Sequence, residues 1–196
     1  MKALLCKEFG PPETLSYEEI EDPVLKEGHI IVDIHSASVN FPDVLMIEDK
    51  YQFKPPLPFA PGGEASGVIS EIGDGVEGFN VGDRVIASSG WGSFAEKILV
   101  DPNALTIIPD QMDHNTAAAF LMTYGTSHHA LKDRADIKEG ESLLVLGGVH
   151  QLVEVRGLSQ LNGETIFVRV SPGTSGFLGD RVRGWPGPIN FYRYRL

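Results

Sequence analysis

Apolar residues in the first half of the chain fall in short runs at strand spacing, separated by glycine and proline. Residues 1–6 hold Met1, Ala3, Leu4, Leu5 and Cys6, which predicts a first strand. Residues 29–37 are β-branched and partly alternating, a second strand signature. Strands are predicted again over 65–72, closed by the turn Gly73-Asp74-Gly75, and over 84–87 behind the turn Gly82-Asp83. Between them, residues 51–63 carry Pro55, Pro56, Pro58 and Pro61 ahead of Gly62 and Gly63, which excludes regular helix and central strand. Short strands so spaced predict a small barrel or sandwich.

Near residue 112 the period changes. Asp113 is placed to cap a helix through residues 116–122, a stretch of good helix formers, and a second helical stretch is expected over 126–135. Leu143, Leu144, Val145 and Leu146 follow as a run apolar on both faces that ends at Gly147-Gly148, the pattern of a buried parallel strand. Residues 163–170 predict one more strand. Beyond them Pro172, Gly173, Gly176, Gly179, Gly184, Pro186, Gly187 and Pro188 break up every pattern, and no amphipathic crossover helix is visible.

Charge changes this picture at one point. The chain has 196 residues and a net charge of -11, which argues against nucleic acid and against an anionic membrane surface as partners. The acidity is confined to the first 150 residues. After them come six arginines, no lysine and three acids, so two differently composed stretches meet near residue 150. No apolar run reaches the roughly 18 residues of a membrane span, and the charged start is no signal peptide, which makes cytoplasm the expected compartment. One cysteine, Cys6, excludes an internal disulfide and any cysteine-rich zinc site. In its strand it reads as a small buried apolar residue. His128 and His129 point about 100° apart on a helix and do not share a metal ion.

Several motifs in fixed order carry a family resemblance. They are Asn40-Phe41-Pro42-Asp43, the loop from Tyr51 into Pro61-Gly62-Gly63-Glu64-Ala65-Ser66-Gly67, Gly82-Asp83-Arg84-Val85, Gly92-Ser93-Phe94-Ala95-Glu96, and Ala117 through Thr126. Together they resemble the medium-chain dehydrogenase/reductase superfamily, and within it the NADPH:quinone oxidoreductase branch. The resemblance implies a mainly β fold class. A GroES-like barrel forms the N-terminal catalytic domain (residues 1–115), then linking helices and the first Rossmann strand (116–148), then an atypical tail (149–196).

The resemblance also implies a zinc-free site. Zinc alcohol dehydrogenases place a ligand Cys where this chain has Asn40 and a ligand His where it has Gly63, and neither residue supplies thiolate or imidazole. The expected function is NADPH-dependent hydride transfer to a quinone or enone, acceptors already electron-poor enough to need no metal. By resemblance Asn40 hydrogen-bonds the nicotinamide carboxamide or the quinone oxygen, Tyr51 lines the acceptor pocket, Thr126 lies under the nicotinamide, and Gly147 and Gly148 begin the pyrophosphate turn. From the residues alone each has a plainer reading. Asn40 caps a turn, Tyr51 packs, Thr126 starts a helix, and Glu64 is a buried structural carboxylate rather than a base.

Leu146-Gly147-Gly148-Val149-His150 departs from the family's phosphate-binding glycine run, with His150 where the last glycine is expected. A change of reading frame or exon near this point is the expected origin of the tail. Impaired NADPH binding and absent or very weak turnover are therefore expected of this chain, and a homodimer, which relatives form through the Rossmann domain, stays open. So do two rival functions, a non-catalytic GroES-like fragment and a protein-interaction module.

Overall fold

A computed structural model describes residues 1–139, 142–145, 164–170 and 189–195. The chain divides into two compact units, Met1–Met122 and Thr123–Leu196.

The first unit opens with a hairpin of β1 (Lys2–Leu5) and β2 (Ser16–Glu19). Backbone bonds from Leu4 N–H to Phe94 O and from Cys6 N–H to Phe59 O, each 2.8 Å, tie it to later loops. The centre is a five-stranded antiparallel sheet. Its strands are β3 (Ile30–Ala37), β4 (Ala65–Ile72), β5 (Arg84–Ala87), β6 (Lys97–Val100) and β7 (Leu105–Ile107), in the order β6-β3-β4-β5-β7. Among the described residues the sheet is open, so the ladder does not close into the barrel that the strand spacing suggested. Two register shifts in the β3–β4 ladder bend it instead.

Alternation along the strands explains the core. Ile30 and Val32 of β3, Ile69 of β4, Val85 and Ala87 of β5, Ile98 and Val100 of β6 and Leu105 of β7 form one buried cluster on one face. Ile86, between two of those positions, faces the other way and packs with Ile108 and Ala117. A helix, α2 (His114–Ala118), covers that second face, its Asp113 cap accepting from Thr116 N–H at 2.9 Å. The cap falls where the sequence predicted it, but the helix stops at Ala118, and a wider turn over Leu121–Gly125 takes the place of its expected second half. The sequence reading had no helix at α1 (Phe41–Ile47), and it also missed β2, β6 and β7.

In the second unit α3 (Thr126–His128) continues into widened turns over His129–Arg134, where Ala135 N–H reaches back to Ala130 O at 2.9 Å. Strand β8 (Ser142–Val145) is parallel to β9 (Glu164–Val170), as the apolar run predicted for its first member, with Ser142 opposite Thr165. Strand β10 (Ile189–Arg195) runs antiparallel to β9. It lies after Pro188, the last of the breakers that made the tail look unstructured. The expected Gly147-Gly148 turn lies outside the described residues.

Two observations in the first unit make predictions. Gly67 sits mid-strand in β4, where a Cβ would lie 2.0 Å from Asp33 O, backbone that cannot step aside. Gly67→Ala is expected to destabilise the fold by about 3 kcal/mol in urea denaturation. The second concerns His114, which joins α2 to the sheet. Its ring stacks on His35 of β3 with centroids 4.4 Å apart, and Nδ1 lies 2.8 Å from Ser66 Oγ. Burial, then the charges of His35 and Arg84, push its pKa below the usual 6.5, while Asp113 opposes the shift. The fold therefore favours the neutral ring, and the stability this gives is present above pH 6.5 and lost as the pH falls below it. Thermal melts of wild type and His114→Asn from pH 7.5 to 5.5 are expected to converge as the pH drops.

Candidate functional site

The loop between β3 and β4 brings together the residues that the motifs singled out. Asn40 is extended and starts α1, with Pro42 in the first turn, where a missing N–H costs nothing. Asn40 and Asp43 make a reciprocal capping box, in which Asp43 Oδ2 accepts from Asn40 N–H at 2.7 Å. Asp43 Oδ1 reaches across to accept from Gly63 N–H at 3.1 Å, which pins the end of the proline loop to the helix start. Asp43 is 4% exposed, and burial raises its pKa against the opposing effect of these N–H groups.

Glu64 is fully buried at the entry to β4. Oε1 accepts from the N–H of Leu121 at 2.5 Å and of Met122 at 3.2 Å, and Oε2 accepts from Ser38 Oγ at 3.2 Å. Ser38 Oγ in turn accepts from Asn40 Nδ2 at 2.8 Å. Burial pushes the Glu64 carboxyl upward, and the Met122 and Leu121 N–H groups, Ser38 and Asn40 hold it down. Burial is the larger effect and leaves the carboxyl above the usual carboxylate range. The plainer reading of Glu64, a structural carboxylate bonded to backbone, matches this geometry.

Gly63 lies against the same network. A Cβ there would sit 3.3 Å from Gly90 O and 3.6 Å from Met122 Cε, so the Gly90 carbonyl leaves little room for a side chain. Among the described residues no group of three His, Cys, Asp or Glu is gathered at metal-binding distance.

Tyr51 is half-buried, packs on the cluster of Cys6, Met46, Ile47 and Phe59 beneath α1, and tilts against the Phe53 ring at 5.9 Å. Thr126 opens α3 in the second unit. Gly147 and Gly148 lie outside the described residues. The sequence reading missed Ser38 and Asp43, although Asp43 stands three residues after Asn40, the spacing of a capping box.

Comparison with known proteins places this geometry. The alcohol dehydrogenase GroES-like domain family matches residues 26–110. Quinone oxidoreductase-like protein 2 of Mus musculus is 39% identical over 144 residues, covering 74% of this chain and 41% of the relative. A reducing polyketide synthase of Cochliobolus heterostrophus is 41% identical over 175 residues, covering 84% of this chain and 7% of the synthase. That match runs past Gly148 wherever it begins. Among solved structures, Escherichia coli quinone oxidoreductase complexed with NADPH superposes with a TM-score of 0.67 at 28% identity, over 74% of this chain and 44% of that one. The JamJ enoyl reductase superposes with a TM-score of 0.66 at 26% identity, over 74% and 46%. The chain thus spans less than half the length of the quinone oxidoreductase relatives. Among the described residues no helix is long and apolar enough to cross a membrane.

The network predicts a stability effect. Glu64→Ala strands two buried backbone N–H groups and the Ser38 hydroxyl, and is expected to cost about 2–4 kcal/mol. Glu64→Gln, which keeps one oxygen for the backbone, is expected to cost about half as much. Equal losses in guanidinium melts would contradict this reading.

Proposed function

Because residues 26–110 carry the alcohol dehydrogenase GroES-like domain and the chain corresponds to the N-terminal part of quinone oxidoreductases, an oxidoreductase family, we propose that it supplies the acceptor-side domain of an NADPH-dependent, zinc-independent reductase of quinones or enones. The observation that carries the zinc-independent reading is the state of the donor atoms around Asn40. Both buried carboxylates are engaged by N–H and O–H donors, and the Gly90 carbonyl leaves little room at position 63. A metal would have to displace these bonds and find its ligands among a carboxamide and a glycine.

NADPH supplies the hydride when bound. The residues near Asn40 suit the nicotinamide end of such a cofactor, since a half-exposed carboxamide on a fixed helix start matches a ligand carboxamide. The capping box and the bond to Ser38 hold that group still, and a fixed contact lowers the entropy cost of aligning the reacting centres. The acceptor needs little polarisation, since a quinone or conjugated carbonyl already draws electrons to its oxygen.

A second reading shares the hydride step and changes the acceptor. The polyketide synthase match covers more of the chain than the quinone oxidoreductase match, 84% against 74%, and an enoyl reductase is among the structural neighbours. Both favour the double bond of an enoyl thioester as the acceptor. One experiment separates the readings. The purified chain is titrated with NADPH by calorimetry, and cofactor oxidation is then followed at saturating ortho-quinone or crotonyl thioester, with and without chelator. Saturable binding and chelator-insensitive oxidation are expected, and the preferred acceptor chooses between the readings. A cooperatively folded chain that binds no NADPH would overturn both and leave the non-catalytic domain or interaction module.

A further inference from the structure

The loop between β5 and β6 holds two aromatic residues in opposite settings. Phe94 is turned inward and fills the space that a side chain at Gly62 would need, since a Cβ there would lie 2.5 Å from Phe94 Cδ1. Trp91, three residues earlier, is 42% exposed and joins none of the three apolar clusters of the first unit. Its backbone is nonetheless fixed on both sides. Gly90 N–H donates to Gly63 O at 3.3 Å, Gly92 N–H donates to Ala60 O at 2.8 Å, and Ser89 Oγ donates to Trp91 O at 2.8 Å. The N–H groups of Ser93 and Phe94 carry the same ladder onto Gly62 O and Pro61 O. Gly90 and Gly92 have φ of +86° and +102°, so Trp91 stands between two left-handed positions that suit only glycine. A rigid loop thus holds the largest side chain of the alphabet partly out of the core, forgoing apolar burial that folding would gain from it. The loop leans on Gly63, whose N–H is bonded to Asp43, the residue that caps Asn40. Trp91 is therefore carried beside the network around Asn40, within the first unit.

We propose that Trp91 determines acceptor specificity, as a flat and preorganised platform on which a quinone ring stacks. The choice of a quinone as its ligand rests on the reductase reading above. Indole is electron-rich and a quinone ring is electron-poor, so the two faces attract where two like rings would repel and slide apart. A platform that is already held still spends little entropy on ordering when the ring arrives. An enoyl thioester has an extended chain and no ring, and gains from the indole only the apolar area that it covers. Trp91 separates the two acceptors by this difference.

The test uses phenanthrenequinone, which has no open quinone position for addition of a thiol or amine. It is titrated into the full chain carrying Trp185→Phe, which leaves residue 91 as the one indole, and into the same chain with Trp91→Phe or Trp91→Leu. With Trp91 in place a charge-transfer absorption band belonging to neither component is expected. The band is expected to move to shorter wavelength in Trp91→Phe and to vanish in Trp91→Leu, where quinone affinity falls about 10-fold. NADPH affinity by calorimetry and the KM for crotonyl thioester are expected to stay unchanged. Equal quinone affinity in the parent and Trp91→Leu overturns the platform and leaves the reductase reading standing. Quinone and NADPH affinities that fall together overturn the assignment to the acceptor. Should Trp91→Leu fail to melt cooperatively, Trp91→Phe decides, and a band at the parent's wavelength in that variant overturns the stacking. A parent that shows the band and binds no NADPH overturns the reductase reading and leaves Trp91 as a quinone-binding residue.

Discussion

A carboxyl group with no exposed surface has to be answered atom by atom, and Glu64 is answered from two segments at once. Leu121 and Met122 bring backbone N–H groups from the end of the first unit, and Ser38 brings a hydroxyl from the β3–α1 loop. Glu64 itself stands at the head of β4, the central strand of the sheet. The cost of burying an unpaired carboxylate is several kcal/mol, so neither of these segments can move without leaving the carboxyl exposed to that cost. The loops around Asn40 are ordered for this reason, although few of their own side chains belong to an apolar cluster.

Asp43 does the same on a smaller scale. Its two oxygens join the start of α1 to Gly63, so the glycine end of the proline loop is held by a carboxylate facing a backbone N–H group. Close approach is then a condition of the design. Gly67 lies almost against Asp33 O, and Gly63 lies close to Gly90 O. Each glycine lets backbone come near enough for the carboxylates to reach their donors. Packing under α1 is a separate matter, carried by Met46, Ile47, Phe59 and Cys6, with Tyr51 against them.

The sheet was legible because its apolar residues alternate. Ile30, Val32, Ile69, Val85 and Ala87 keep the period of two that a half-covered strand requires, and β5 lies where the sequence put it. Shorter strands such as β7 give too few residues for a period to stand out. The helix α1 is seven residues long, too short for a helical period to stand out, and its Pro42 sits in the first turn, where proline is suited. The family motifs located Asn40 and Glu64, but not the bonds that join them, because Ser38 is an ordinary serine until its neighbours are known. Curvature is not written in the same pattern. Strand spacing reports the number of strands, whereas bulges in the β3–β4 ladder decide how far the sheet bends.

The direction of the hydrogen bonds also bears on which acceptor this domain suits. After hydride transfer a quinone carries its charge on oxygen, spread through an aromatic ring, and water or buffer can supply the proton later. An enoyl thioester becomes an enolate, a much stronger base, and its formation gains more from a donor held at the carbonyl oxygen. Near Asn40 the buried carboxylates accept, the Ser38 proton is spent on Glu64, and the Asn40 N–H groups face inward. The loop thus offers acceptance and rigidity and no donor for a developing oxyanion. On the reductase reading proposed above, a quinone would ask for no more than that from this loop, whereas an enoyl thioester would need its oxyanion donor from elsewhere.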